Sequence, residues 1–127
     1  MTFCLCAFLV IFVLFFELFN TEVFAYSDKQ NNKLIERISK DYTKKFCNGI
    51  GFGLSKDSAM NFANKENNLT FQNKKGIESI NKELLANKIA ILVIDTCGYP
   101  INLKGEEGIK KFENEYISTN HSFFAIE

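Results

Sequence analysis

The chain has 127 residues with 15 basic and 15 acidic side chains, so its formal net charge is zero. That length suits one domain, and balanced charge gives no reason to expect nucleic acid or acidic lipid as a partner. Lysine outnumbers arginine 14 to 1, so bidentate recognition of phosphate or base edges falls to Arg37 alone.

The first element is not domain-like. Phe3–Phe16, FCLCAFLVIFVLFF, is apolar throughout. Fourteen residues fall short of the roughly 20 that a bilayer core requires and match the apolar region of a signal peptide. Val23 and Ala25 stand where a signal peptidase reads its substrate, which predicts cleavage between Ala25 and Tyr26 and a signal peptide over 1–25. The alternative is an uncleaved anchor that meets a membrane through residues 3–19. It has support of its own. No Lys or Arg precedes the apolar run, and Lys29, Lys33 and Arg37 follow it. In an uncut chain the positive-inside rule would keep the remainder cytoplasmic. Cys4 and Cys6 come too early to be acylated after cleavage. Loss of 1–25 leaves 15 basic and 13 acidic groups, a charge near +2.

Two cysteines survive cleavage, Cys47 and Cys97. An even number in a small exported domain points to a disulfide. Closing a loop of about 50 residues stabilises by about 4 kcal/mol in the chain-entropy description. The other reading is two buried free thiols. A redox-active pair would more often be Cys-x-x-Cys. Two thiols and one histidine are too few for a structural zinc site, which takes four ligands.

Four helices are expected between 26 and 118. In NNKLIERISKDYTKKF, Leu34, Ile38, Tyr42 and Phe46 recur every four residues, with Ile35 beside them, while Lys33, Glu36, Lys40 and Lys44 lie opposite. In LSKDSAMNFANKENN, Ser55 is the expected N-cap and Asp57 complements the helix dipole. Ala59, Phe62 and Ala63 form the apolar face of this second helix, which ends near Lys74–Gly76. The third, IESINKELLANKIAILVIDTCGYP, has Ser79 as its expected cap and stops at Gly98 and Pro100. Its run Ile89–Ile94 is also compatible with a buried strand, but the helix-forming NKELLANK before it favours a central helix. In LKGEEGIKKFENEYIS, Ile109, Phe112, Tyr116 and Ile117 make the fourth stripe, with favourable i, i+4 spacing of Glu106 to Lys110 and Glu107 to Lys111. Residues 119–127 have no period and read as a loose tail. The fold class is therefore all-α, a small bundle of about four helices behind a signal or anchor segment.

The stretch FCNGIGFGLS, 46–55, admits three readings. A phosphate loop requires Gly-x-x-x-x-Gly-Lys-Ser/Thr or Gly-x-Gly-x-x-Gly after a strand, and neither is present. A strand would put Ile50, Phe52 and Leu54 on one face. A helix costs about 1 kcal/mol per glycine relative to alanine but offers a slim surface to another backbone. The helix is preferred, with Gly49, Gly51 and Gly53 as close-packing residues and an end before Ser55. The two cysteines then lie near the ends of the first and third helices, so those ends should be adjacent.

The order SKDYTKKFCNGIGFGLSKDSAMNFA, KGIESINKELLANKIA, CGYPINLKGEEGI resembles a group of small exported proteins of marine cyanobacteria. The resemblance covers roughly 36–112, and FCNGIGFGLS and CGYP are its most specific parts. It implies a periplasmic or thylakoid-lumen address and brings no activity, cofactor or catalytic residue.

Catalytic constellations are thin. His121 is the single histidine and lies in the tail. Asp95 closes an apolar run and would matter chemically only if buried. Glu106 and Glu107 are sequence neighbours on a helix and point apart, so they make a poor acid–base pair. Phe52 and Tyr99 are the aromatics most able to flank the tethered corner at the surface, where a protein partner or a small apolar ligand could dock. The expectation is an exported, non-enzymatic binding or accessory protein without cofactor or metal. The alternatives are a membrane-anchored accessory protein of a membrane complex and, behind it, a thiol–disulfide redox protein.

Overall fold

A computed structural model describes residues 28–120. The chain divides into two compact units, Met1–Asn32 and Lys33–Glu127. Of the first, only 28–32 are described, and they are helical. The second is an all-α bundle, and the following concerns it alone. Helix α1 covers 28–51, of which 33–51 belong to this unit. It is followed by α2, Lys56–Phe71, a short 3-10 turn, Ile77–Ser79, α3, Lys82–Cys97, and α4, Gly105–Thr119.

The α1 stripe is buried as its spacing predicts: Ile35, Ile38, Tyr42 and Phe46 face the core. Ser39 is fully buried within that face, and its hydroxyl donates to the Ile35 carbonyl at 2.8 Å, which satisfies it locally. Ser55 caps α2, its Oγ accepting from the Ser58 amide at 3.2 Å. The buried face of α2 is Ala59, Met60, Ala63, Asn64, Asn67 and Phe71. Phe62, expected on that face, is 47% exposed. Its position lies to one side of the Ala59–Ala63 line, and the bundle turns that side outward.

The run Ile89–Ile94 is helical, which removes the strand reading. In α3, Leu85, Ala86, Ile89, Ala90 and Val93 are fully buried, and α3 packs along α4. The cap is Asn81 rather than Ser79. Asn81 Oδ1 accepts from the Leu84 amide at 2.8 Å, while Ser79 ends the preceding 3-10 turn. The fourth helix runs one residue past the expected boundary, to Thr119, and Asn120 beyond it is buried. The tail therefore does not begin at 119; residues 121–127, His121 among them, lie outside the described residues. The ion pairs expected of Glu106 with Lys110 and Glu107 with Lys111 are not formed.

The centre of the core is aromatic. Tyr42 and Phe46 of α1 meet Tyr116 and Phe112 of α4, each pair edge-on with ring centroids 5.1 Å apart. Such contacts add about 0.5–1.5 kcal/mol each beyond the area they bury. The Tyr42 hydroxyl is buried without a hydrogen-bond partner, and the buried Tyr116 hydroxyl faces the Asn120 side chain. Burial pushes the Tyr42 phenol well above its usual range, with Tyr116 adding to the rise; burial also raises Tyr116, opposed by the Asn120 side chain.

Polar clamps register the helices. Asn67, 1% exposed, donates through Nδ2 to the Ile38 carbonyl at 3.2 Å and to Asp41 Oδ2 at 2.9 Å. Lys45 Nζ donates to the same Asp41 oxygen at 2.7 Å and to Thr70 Oγ1 at 3.2 Å. Lys56 Nζ meets both Glu115 carboxylate oxygens at 2.8 and 2.7 Å, which ties the start of α2 to α4.

Candidate functional site

Cys47, near the end of α1, is bonded to Cys97, the last residue of α3, with Cα atoms 5.7 Å apart across a sequence separation of 50. The C-terminal ends of α1 and α3 are therefore joined, and the two loops that leave them start from one corner.

The first loop answers the question of the glycine stretch. Helix α1 ends in a Schellman motif: the Leu54 amide donates to the Gly49 carbonyl and the Gly53 amide to the Ile50 carbonyl, both at 3.0 Å. Gly53 holds the left-handed position at φ 88, which glycine alone adopts without strain. Gly49 is the close-packing member. A Cβ there would stand 3.2 Å from Ala59 Cβ and 3.2 Å from Leu54 Cδ1. The slim surface lets α2 approach, not α3. Gly51 has no atom within 4 Å of a would-be Cβ. The shared role expected for the three glycines is thus corrected: Gly49 packs, Gly53 turns the chain, and Gly51 does neither.

The second loop is CGYPIN. The Asn102 amide donates to the Tyr99 carbonyl at 3.1 Å, a β-turn with Pro100 at its favoured second position. Asn102 takes the left-handed conformation at φ 56, which asparagine tolerates better than most residues. The Leu103 amide then donates to the Gly98 carbonyl at 2.9 Å and the Leu103 side chain buries. Gly98 is demanded by this closure, since a Cβ would lie 2.5 Å from the carbonyl oxygens of both Ile94 and Leu103. Gly108 likewise admits Leu103, whose carbonyl carbon would be 3.0 Å from a Cβ.

These closures leave two large aromatics in water. Phe52 is 89% exposed and Tyr99 97% exposed. An open groove of about 770 Å³ adjoins Tyr99, with Ile94, Leu103 and Pro100 as apolar lining and Asp95 and Lys104 as its charges. A surface of this kind can bind an apolar or aromatic group. It holds no nucleophile–base arrangement. Asp95 is exposed, and Glu106 and Glu107 are exposed on the first turn of α4.

Sequence reasoning read Gly98 only as a helix stop and missed Gly108 and the buried carboxamides Asn64 and Asn67. For Gly98 a signal existed, because a glycine directly before Tyr-Pro at a helix end marks a tight closure. For Asn67 there was none, as a single asparagine in an asparagine-rich helix looks solvated. The cleavage residues Ala25 and Tyr26 and the apolar segment 3–19 lie outside the described residues. Among the described residues, no group of His, Cys, Asp and Glu could hold a metal ion, and no helix is long and apolar enough to cross a membrane. Comparison with protein-family models, with curated proteins and with solved structures gives no match.

Proposed function

We propose that the chain is an exported, non-enzymatic binding or accessory protein of a periplasm or thylakoid lumen, and that it engages a protein partner or a small apolar ligand through Phe52 and Tyr99. The observation that carries this reading is the exposure of these two rings on loops anchored by one disulfide. Large aromatics held in water by rigid closures cost solvation and are typical of interface anchors. The disulfide fits an oxidising compartment, and the apolar run Phe3–Phe16 with Ala25–Tyr26 after it supports export.

The test is co-purification from native soluble and membrane extracts, comparing wild type with Phe52→Ala/Tyr99→Ala. The expected result is a partner retained by wild type and bound at least tenfold more weakly by the variant, about 1.4 kcal/mol or more. Helical content should not change, because both side chains are exposed. Equal retention by both proteins would remove the role of the two rings. Intact mass addresses the address separately: loss of 1–25 means export. Retention of 1–25 favours the second reading, an anchored accessory protein of a membrane complex, for which Lys29, Lys33 and Arg37 after the apolar run are the supporting observation.

A further inference from the structure

The overall charge balance conceals a segregated surface. On α1, Lys33, Arg37, Lys40 and Lys44 follow at spacings of four, three and four. At 3.6 residues per turn they fall within about 60° of arc, along about 16 Å of helix. All four are exposed. Lys40 pairs with Glu36 at 2.7 Å, while Lys33, Arg37 and Lys44 have no ion-pair partner among the described residues. Two acids rim the stripe: Asp41, paired with Lys45 at 2.7 Å, and Glu36, held below the usual carboxylate range by Lys40 first, through its hydrogen bond, and to a smaller degree by Lys88 of α3. Acidic groups collect elsewhere: α4 carries Glu106, Glu107, Glu113 and Glu115 against Lys110 and Lys111.

We propose that the Lys33–Arg37–Lys44 face of α1 lies against the head groups of an anionic lipid bilayer. This goes beyond the docking of a partner at Phe52 and Tyr99, which uses other residues. Charge complementarity selects an anionic surface. Two features select lipid over nucleic acid. The stripe is mainly lysine, a point charge suited to a diffuse field and not to bidentate readout. It also carries no aromatic side chain on which a base could stack.

The experiment is flotation of the full-length chain with phosphatidylcholine vesicles, with and without phosphatidylglycerol, for wild type and for Lys33→Gln/Arg37→Gln/Lys44→Gln. Each cation near an anionic surface contributes about fivefold, so the triple variant should bind phosphatidylglycerol vesicles about a hundredfold more weakly. Binding of wild type should weaken with added salt, and binding of either protein to pure phosphatidylcholine should be the same. The wild-type salt series tests the proposal without any substitution, and unfolding midpoints confirm that the variant folds. Equal affinity of wild type for both vesicle types overturns the proposal, as does an unchanged variant. Tighter binding to duplex DNA than to phosphatidylglycerol vesicles overturns it in favour of a nucleic-acid surface.

Discussion

Replacing Gly49, Gly51 and Gly53 by alanine, one at a time, probes three backbone situations within five residues. At Gly51 a methyl group meets nothing within 4 Å, and the residue is helical. Alanine there restricts the unfolded chain and improves helix propensity, so stability should rise by about 0.5–1 kcal/mol. At Gly53 the backbone stands at φ 88. An L side chain in that region costs about 1–2 kcal/mol, partly offset by the same unfolded-state gain, for a net loss of about 1 kcal/mol. At Gly49 the new methyl group presses Ala59 Cβ and Leu54 Cδ1 at 3.2 Å. Leu54 is 44% exposed and can yield, whereas Ala59 is fixed in the core, so this variant should fall between the other two. Gly98→Ala completes the series. A Cβ 2.5 Å from two carbonyl oxygens forces the loop open, at a cost of about 3 kcal/mol. The assay is urea unfolding followed by far-ultraviolet circular dichroism, with the disulfide intact and the m-value checked for constancy. In a domain of this size, 1 kcal/mol moves the thermal midpoint by about 4–8 °C. The expected order of stability is Gly51→Ala, Gly49→Ala, Gly53→Ala, then Gly98→Ala. A loss for Gly51→Ala equal to that for Gly53→Ala would refute the reasoning, because the glycines would then share one packing surface and α1 would not end as described.

Two more outcomes follow from the core. Reduction of the disulfide, or Cys47→Ser/Cys97→Ser, opens a loop of 50 residues and should lower unfolding stability by about 4 kcal/mol, read as the shift in urea midpoint with and without reductant. Tyr42 and Tyr116 hold their protons in the native state beyond the pH at which they ionise when unfolded, near 10. Their contribution is constant below that pH and is lost as pH climbs from the unfolded value toward the raised native one. The loss is up to about 1.4 kcal/mol per pH unit for each tyrosine. Tyr42→Phe and Tyr116→Phe should each flatten the alkaline limb by that slope. Tyr42→Phe should not weaken the protein at pH 7, because the Tyr42 hydroxyl is buried without a hydrogen-bond partner. In wild type the phenolate absorbance of these two rings should appear with unfolding and not before it.

The helices were legible because their signal is local. Leu34, Ile38, Tyr42 and Phe46 recur with the period of the helix that buries them, and Ser55 sits where a cap is required. The pairing of Cys47 with Cys97 was legible for a different reason, since these are the two cysteines outside the apolar run Phe3–Phe16. The cap of α3 was misplaced because Ser79 and Asn81 are equally good cap residues. The choice between them depends on the 3-10 turn that Gly76 allows at φ 89.

By itself, the order of residues determined the all-α class, the approximate helix ends and the residues that turn toward a core, since hydrophobic periodicity needs no knowledge of the neighbour. Tertiary structure alone decided which glycine packs and which one turns, that Gly98 is the position with no room for a methyl group, that Asn67 bridges α1 and α2, and that Phe62 faces water. The Asn67 bridge joins residues 29 apart in the chain, and the glycine roles depend on how each loop closes behind its helix. A side chain's local pattern gives its direction from its own helix, but the partner that meets it there is set by how the helices close around the Tyr42–Phe46–Phe112–Tyr116 cluster.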